Sequence, residues 1–141
     1  MPNNIKNSLK TNSKSFYFAS LFLNKKTAYY CYVLYKFCRI VDDIADKETS
    51  SKKKKLNDLI FFLKSKSKPK QIFLIEIKKL INKKIINREP LIELIKGVLT
   101  DTKYVHIQNT SQLINYSYLV AGSVGILMCQ LLNNTNLYSF K

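Results

Sequence analysis

Carboxylates, the side chains best suited to hold a divalent cation, are concentrated in one short stretch of this chain. The sequence has nine Asp and Glu residues in all, and Asp42, Asp43 and Asp46 follow one another closely in YVLYKFCRIVDDIAD. On a helix, Asp42 and Asp46 share one face because they are four residues apart. Two such carboxylates can coordinate Mg²⁺ together, since this ion retains several waters and accepts further oxygens from substrate phosphates. The spacing is therefore compatible with a magnesium and phosphate site.

Two more side chains share this face, Tyr35 and Arg39, and the guanidinium of Arg39 suits phosphate oxygens. The alternative is a solvated acidic helix end, in which Arg39 only pairs with Asp42 or Asp43 and contributes little to stability. The C-terminal end of a helix carries a partial negative charge. Three carboxylates at that end therefore need either a cation or a helix that continues past them.

A second stretch, YSYLVAGSVG from Tyr116 to Gly125, places two glycines inside an apolar segment. Glycine in a helix interior costs about 1 kcal/mol relative to alanine, so it needs a reason. One reason is close packing of two helices. The other is a pocket wall against which a long apolar ligand lies, with Tyr116 presenting a hydroxyl and an aromatic face.

The elements that must position these residues are all helical, because sustained alternation with a period of two and hairpin turns are absent from the sequence. The opposite face of the acidic helix is apolar and predicts its core contacts: Val33, Leu34, Phe37, Ile40, Val41 and Ile44. Apolar spacing and capping residues predict six helices. The first helix begins at Ser13 or Ser15, the second runs from about Thr27 to Asp46, and the third covers Leu56 to Leu63. The fourth runs from Ile72 to about Asn87, the fifth from Pro90 to about Lys103, and the sixth from an N-cap at Thr110 through Leu132.

The chain is long enough for one domain with a real core, and its formal charge of +15 favours an anionic partner. Lysines occur in every segment without a nucleic-acid-binding motif, so we expect no nucleic acid partner. Acidic lipid headgroups and phosphorylated small molecules remain as alternatives.

Cys31, Cys38 and Cys129 form no CxxC pair and are expected to be buried thiols in a reducing, cytoplasmic environment. The first residues are polar and contain no secretory signal pattern. Residues 113–132 carry no charge, and we expect a buried helix rather than a membrane span there. His106 falls in a connector and is expected to have a surface role. Asp101 and Tyr104 are expected to form a cap or a local pair.

Four blocks of the sequence, taken together and in order, resemble the squalene/phytoene synthase family. They are SKSFYFAS at 13–20, LYKFCRIVDDIAD at 34–46, EPLIELIKGVLTD at 89–101 and YSYLVAGSVGI at 116–126. The resemblance implies an all-α fold, a partial bundle of the isoprenoid-synthase type around a central cavity. It also implies head-to-head joining of two prenyl diphosphates with Mg²⁺, or with Mn²⁺ as the alternative ion.

The same resemblance implies roles for individual residues. Asp42 and Asp46 match the first aspartate-rich motif and would be both metal ligands and catalytic residues, and Tyr116 matches a catalytic cavity tyrosine that assists the cationic steps. The residues that match the substrate-binding positions are Ser13, Ser15, Phe16, Tyr35, Arg39, Asp43, Val120, Ala121 and Gly125.

The chain also departs from the family pattern. The family uses a second aspartate-rich motif on a later helix, whereas this chain has no Asp or Glu after Asp101, and Ser117 replaces the usual Cys of the cavity motif. We therefore expect a polar extension at 1–12 and, at 13–141, the N-terminal part of such a domain, truncated before the second motif. Activity would then need the missing C-terminal half or self-association, and apolar surface would be exposed.

The leading hypothesis is accordingly a phytoene synthase-like enzyme, most similar to phytoene synthase within the family, that acts on geranylgeranyl diphosphate. A squalene synthase-type enzyme is the alternative within the family. A non-catalytic helical module at a membrane surface is the alternative outside it. We expect a cytoplasmic protein, with peripheral membrane association as the alternative location.

Overall fold

The structure is a computed structural model and describes residues 13–46, 51–65, 71–101 and 107–133. Its elements are α1 (Lys14–Ser20), α2 (Lys25–Asp46), α3 (Lys52–Lys64), α4 (Ile72–Asn82), α5 (Arg88–Asp101), α6 (Thr110–Ser117), a π-helical segment (Tyr118–Gly122) and α7 (Ser123–Asn133). Within the described ranges there is no β-strand. The predicted all-α fold is therefore confirmed. His106 and Tyr104 lie outside the described residues.

Helix α2 is the centre of the fold and packs against α3, α4, α5 and α7. Its N-terminal end is capped by Asn24, whose Oδ1 accepts a hydrogen bond of 2.9 Å from the Thr27 amide. The apolar face expected from the sequence is largely buried, with Phe37 and Val41 at 0% exposure, whereas Ile40 and Ile44 are half-buried. Helical periodicity therefore assigned the core face of this helix correctly.

Two of the helix boundaries that differ from the sequence prediction have a physical cause in the structure. Helix α4 ends at Asn82 rather than near Asn87, because Lys84 adopts a left-handed conformation with φ 54°. The amides of Lys84 and Ile85 then donate to the carbonyls of Ile81 and Leu80, at 2.9 and 3.0 Å. This is the Schellman pattern of helix termination, here without its usual glycine.

The other boundary is the start of the last helix. Asn109, not Thr110, caps it, since its Oδ1 accepts from the Gln112 amide at 2.9 Å. Ser13 holds the N-cap position of α1 but makes no capping hydrogen bond through its side chain.

A π-helical segment interrupts the final helix at Tyr118–Gly122 and was not expected from the sequence. A π turn widens the helix and is frequent at functional sites. Ser123, which is fully buried, donates from Oγ to the carbonyl oxygen of Leu119 at 2.7 Å. That bond satisfies a polar side chain that would otherwise be buried without a partner.

The α5 helix approaches this segment closely at Gly97. A Cβ atom on Gly97 would lie 2.8 Å from Cβ of Leu119 and 3.1 Å from its carbonyl carbon. Only glycine fits such an approach without displacement of the neighbouring helix. The close packing considered for the glycines of the final helix thus occurs at a glycine of α5 instead.

The final helix is not the buried helix that we expected. In the described chain, Thr110–Leu132 is long and apolar enough to cross a membrane, with a mean hydropathy of 1.3, and only 11% of that apolar window is buried. Ser123, Leu127 and Leu131 face the core, whereas Leu113, Ile114 and Leu132 are exposed. The expectation failed because an uncharged sequence does not reveal whether other helices cover it.

The expectation of buried cysteines holds for Cys31 alone. Cys38 is half-buried and Cys129 is exposed. The apolar surface expected for a partial domain is present, with Phe18, Phe22 and Phe61 each more than 60% exposed.

Candidate functional site

The acidic face lies at the C-terminal end of α2, and the last helical residue is Asp46. Asp42 and Asp46 are exposed and Asp43 is half-buried. Partial burial of the carboxylate raises the pKa of Asp42, repulsion from Asp46 and Asp43 raises it further, and only Arg39 lowers it. A cation at this point would therefore be stabilised by the charges already present.

Arg39 and Asp43 form an ion pair, with Nη2 and Oδ1 3.1 Å apart. Both side chains are well exposed, at 57% and 44%, so the pair contributes little to stability. The alternative in which Arg39 pairs locally is thus correct for Asp43. The pair also holds the guanidinium within one helical turn of Asp42.

Aromatic rings of α1 and α2 form a floor beside this face. Phe16 stacks on Tyr35 with ring centroids 5.1 Å apart and an interplanar angle of 28°. Such a pair contributes about 0.5–1.5 kcal/mol beyond its buried area. The two residues were selected separately from the sequence, and the fold brings them into contact. Ser13 is half-buried and Ser15 is exposed at the start of the same short helix.

A thiol also lies next to the acidic face. Burial raises the pKa of Cys38 to about 12, and the charge of Asp42, one turn further along, adds to the effect. The thiol is therefore neutral at physiological pH and is no candidate nucleophile.

The predicted residues of the final helix differ in their exposure. Tyr116 and Val120 are half-buried, whereas Ala121 and Gly125 are exposed. Gly125 would have no atom within 4 Å of a Cβ, so the space beside its backbone is open. Close packing therefore does not explain Gly125, and room for a ligand along the helix remains an explanation.

Tyr104 lies outside the described residues, so the cap or local pair expected for Asp101 and Tyr104 stays a prediction. The carboxylate of Asp101 lies close enough to the Tyr116 phenol to raise its pKa. This partner was not identifiable from sequence, since the two residues are distant in the chain. Convergence of Tyr116 with Arg39, Asp42 and Asp46 on one cavity stays a prediction.

Residues Lys53 and Asn57 near the start of α3 and Leu99 and Thr100 near the end of α5 line one open depression of about 400 Å³. The depression itself is lined by none of the predicted site residues.

Comparison with known proteins identifies the family. A family model described as squalene/phytoene synthase matches residues 9–137. The chain belongs to the squalene/phytoene synthase family. A chloroplastic phytoene synthase from Narcissus pseudonarcissus is 23% identical over 124 residues, a match that covers 82% of this chain and 28% of that protein.

A solved structure of this family class supports the fold. The crystal structure of a dehydrosqualene synthase in complex with ligand superposes with a TM-score of 0.78 at 27% sequence identity, over 91% of this chain and 46% of that chain. The chain thus spans less than half the length of either relative. The isoprenoid-synthase type of helical fold expected from the sequence is confirmed.

Proposed function

We propose that residues 13–141 are the N-terminal part of a phytoene synthase-like prenyltransferase, which condenses two geranylgeranyl diphosphates head to head. The observation that supports this most strongly is the acidic face of α2. Asp42 and Asp46 lie one helical turn apart, and partial burial together with the charge of Asp46 raises the pKa of Asp42, in a chain whose residues 9–137 match the squalene/phytoene synthase family. A site that stabilises negative charge so poorly is suited to a bound cation.

The donors at this face fit Mg²⁺. Carboxylate oxygens are the ligands that this ion prefers, and Asp42 and Asp46 are one turn apart. Among the residues that the structure describes, no cluster of three or more Asp, Glu, His or Cys is arranged to hold a metal. The remaining ligands would therefore be water and diphosphate oxygens. Bound Mg²⁺ would neutralise the leaving diphosphate of an allylic substrate, and Mn²⁺ suits the same donors.

The other side chains would bind and enclose the substrate. Arg39 can donate to diphosphate oxygens by exchanging its exposed pair with Asp43, which costs little. The stacked rings of Phe16 and Tyr35 offer an apolar floor beside the diphosphate. Ser13 and Ser15 flank the same position from α1.

The prenyl chain would lie along the final helix, against Val120, Ala121 and Gly125. The open space at Gly125 lets an apolar chain approach the backbone. An allylic carbocation survives only where water is excluded. Tyr116 would stabilise it through the phenol oxygen and the ring face.

Binding of a non-reactive thio analogue of geranylgeranyl diphosphate, measured by calorimetry with and without Mg²⁺, tests the proposal. We expect Mg²⁺-dependent binding that weakens at least tenfold in Asp42→Asn and in Asp46→Asn, since each removes a charged ligand. Asp58→Asn is the matched control, because Asp58 is an exposed carboxylate on the neighbouring helix α3. Equal affinity in all four proteins, or binding indifferent to Mg²⁺, would refute the role of the acidic face.

A squalene synthase-type enzyme is the second candidate, and the similarity to a dehydrosqualene synthase favours it. The two candidates differ in substrate length and therefore in the depth of the cavity. Mass spectrometry of products formed from farnesyl and geranylgeranyl diphosphate by this chain together with the remaining helices of the domain would separate them.

We also propose that the exposed face of the final helix is covered by the remaining helices of the family domain. The chain covers 46% of the solved relative, and several exposed residues of Thr110–Leu132 are apolar, among them Leu113, Ile114, Ile126 and Leu132. Liposomes of anionic lipid provide the competing outcome, because the chain carries a charge of +15. Liposome binding unaffected by Asp42→Asn, without binding of the diphosphate analogue, would favour a non-catalytic module at a membrane surface.

A further inference from the structure

The α5 helix and the final helix run antiparallel in a register that two separate contacts define. At one end, the Asn87 amide donates to Oε1 of Gln130 at 2.8 Å. Further along α5, Gly97 lies against Val120, with its Cβ position 3.0 Å from Cγ1. From Asn87 to Gly97 the chain goes forward by ten residues, and the contacting residue on the final helix changes from Gln130 to Val120, which is ten residues earlier. The two helices keep this register through the π-helical segment.

The same register brings Asp101 to Tyr116. Asp101 is one turn beyond Gly97, and Tyr116 is one turn before Val120. The Asp101 carboxylate raises the pKa of the Tyr116 phenol, which agrees with this register. The proximity of the two residues therefore follows from the packing of the two helices.

We propose that Asp101 is a positioning residue for Tyr116: its carboxylate accepts the phenolic hydrogen bond and fixes the orientation of the hydroxyl group. This inference rests on the proposed function, in which Tyr116 stabilises a cation. Because the phenolic proton is directed at Asp101, the oxygen presents only lone pairs to a ligand. Donation to an anionic acceptor also increases the electron density on that oxygen. The phenol then meets a cation as an acceptor and cannot turn its proton toward it.

The nearby carboxylate also raises the pKa of Tyr116, and a phenol is neutral at physiological pH with or without that shift. Gly97 supports the arrangement from one turn away, since its missing side chain permits the helices to approach. Asp101 and Gly97 thus set the position of one side chain.

A neighbouring pair of the same chemistry provides the control. Tyr118 donates from its hydroxyl to Oε2 of Glu93 at 2.8 Å, between the same two helices. Tyr118 matches none of the predicted site positions. If the carboxylate in each pair only joined α5 to the final helix, replacement of Asp101 or of Glu93 should affect ligand binding to the same extent.

The first experiment is a pH titration of the full chain with ring-labelled tyrosine, followed by NMR, with Tyr116→Phe used to assign the signal. In Asp101→Ala the pKa of Tyr116 should fall toward its ordinary value and that of Tyr118 should not change. In Glu93→Ala the reverse should hold. An unchanged Tyr116 titration in Asp101→Ala would overturn the proposal.

The second experiment measures binding of a prenyl ammonium compound, a stable mimic of the carbocation, with Mg²⁺ and inorganic pyrophosphate present. Asp101→Ala should weaken ammonium binding about tenfold, while binding of the thio analogue of the diphosphate changes less than about twofold. Asp101→Glu should restore most of the loss. Glu93→Ala should alter neither ligand.

The outcomes separate this proposal from the proposed function. Equal weakening of both ligands, or a similar effect of Glu93→Ala, would mean that Asp101 only supports the fold, and would overturn the positioning role. Unchanged ammonium binding in Asp101→Ala would do the same. If the unmodified chain binds no prenyl diphosphate with Mg²⁺, the proposed function fails and the positioning role fails with it. Circular dichroism of Asp101→Ala and Asp101→Glu identifies a variant that has not folded. If one of them has not folded, the ligand binding of the other variant tests the positioning role.

Discussion

Replacement of Gly97 by alanine should destabilise the chain, although alanine is the better helix former. Two effects oppose each other. Alanine in a helix interior gains about 1 kcal/mol over glycine. The new Cβ, however, would lie 2.8 Å from Cβ of Leu119 and 3.1 Å from its carbonyl carbon, whereas ordinary contact begins at 3.4 Å. Both atoms are fixed to the backbone of the π-helical segment, so the whole segment must move away from α5.

Overpacking of this kind costs about 1–3 kcal/mol. After the gain in helix propensity, we expect Gly97→Ala to lower the free energy of unfolding by up to about 2 kcal/mol. Gly125→Ala is the matched control, because Gly125 is also helical but has no neighbouring atom within 4 Å. It should raise the free energy of unfolding by about 1 kcal/mol. The same substitution is thus expected to have opposite signs at two glycines.

Urea denaturation of the full chain, followed by circular dichroism at one fixed protein concentration, measures both values. The fixed concentration matters because exposed apolar surface favours association. If Gly97→Ala proves as stable as Gly125→Ala, then α5 and the final helix do not approach as closely as described. The register that joins Asp101 to Tyr116 would then lose its main support.

Three further predictions concern charge and backbone conformation. Asp42→Asn should raise the free energy of unfolding of the unliganded chain at neutral pH by a few tenths of a kcal/mol. The reason is that the raised pKa of Asp42 means that its charged form is disfavoured in the folded chain. A lower free energy of unfolding for Asp42→Asn in urea denaturation would contradict this. Burial and the hydrogen bond to Glu76 raise the pKa of Tyr29 from 10.0 to about 12. The stability that the neutral phenol confers should therefore be complete below pH 10.0 and lost as the pH rises to about 12. In alkaline denaturation, the difference in free energy of unfolding between wild type and Tyr29→Phe should vanish over that interval. Lys84→Gly should stabilise the chain by about 1 kcal/mol in the same urea assay, because it relieves a left-handed conformation, and no gain would mean that Lys84 is not strained.

The central helix could be predicted from the sequence because local and tertiary requirements agree there. The apolar residues of α2 recur with the helical period, and the face they form is the one that the neighbouring helices bury. The boundary of α4 was missed for the opposite reason. Its terminating residue is Lys84 where a glycine is usual, so composition gave no signal.

Features that depend on two distant segments were not predictable. The π-helical segment coincides with the close approach of Gly97 to Leu119, and the partner of Tyr116 depends on the antiparallel register. Neither leaves a local pattern. The acidic face differs, since the spacing of Asp42 and Asp46 alone places them together. Its chemical role nevertheless came from the family resemblance, because a solvated helix end has the same spacing.

Two surfaces that the proposed function uses are unfavourable in the unliganded chain. One is the acidic face of α2, where partial burial and the charge of Asp46 raise the pKa of Asp42. The other is the final helix, several of whose exposed residues are apolar. A diphosphate bound with a cation would relieve the first, and a prenyl chain beneath covering helices would bury part of the second. Both gains depend on ligand, so by mass action ligand binding and the stability of this half-domain should be coupled.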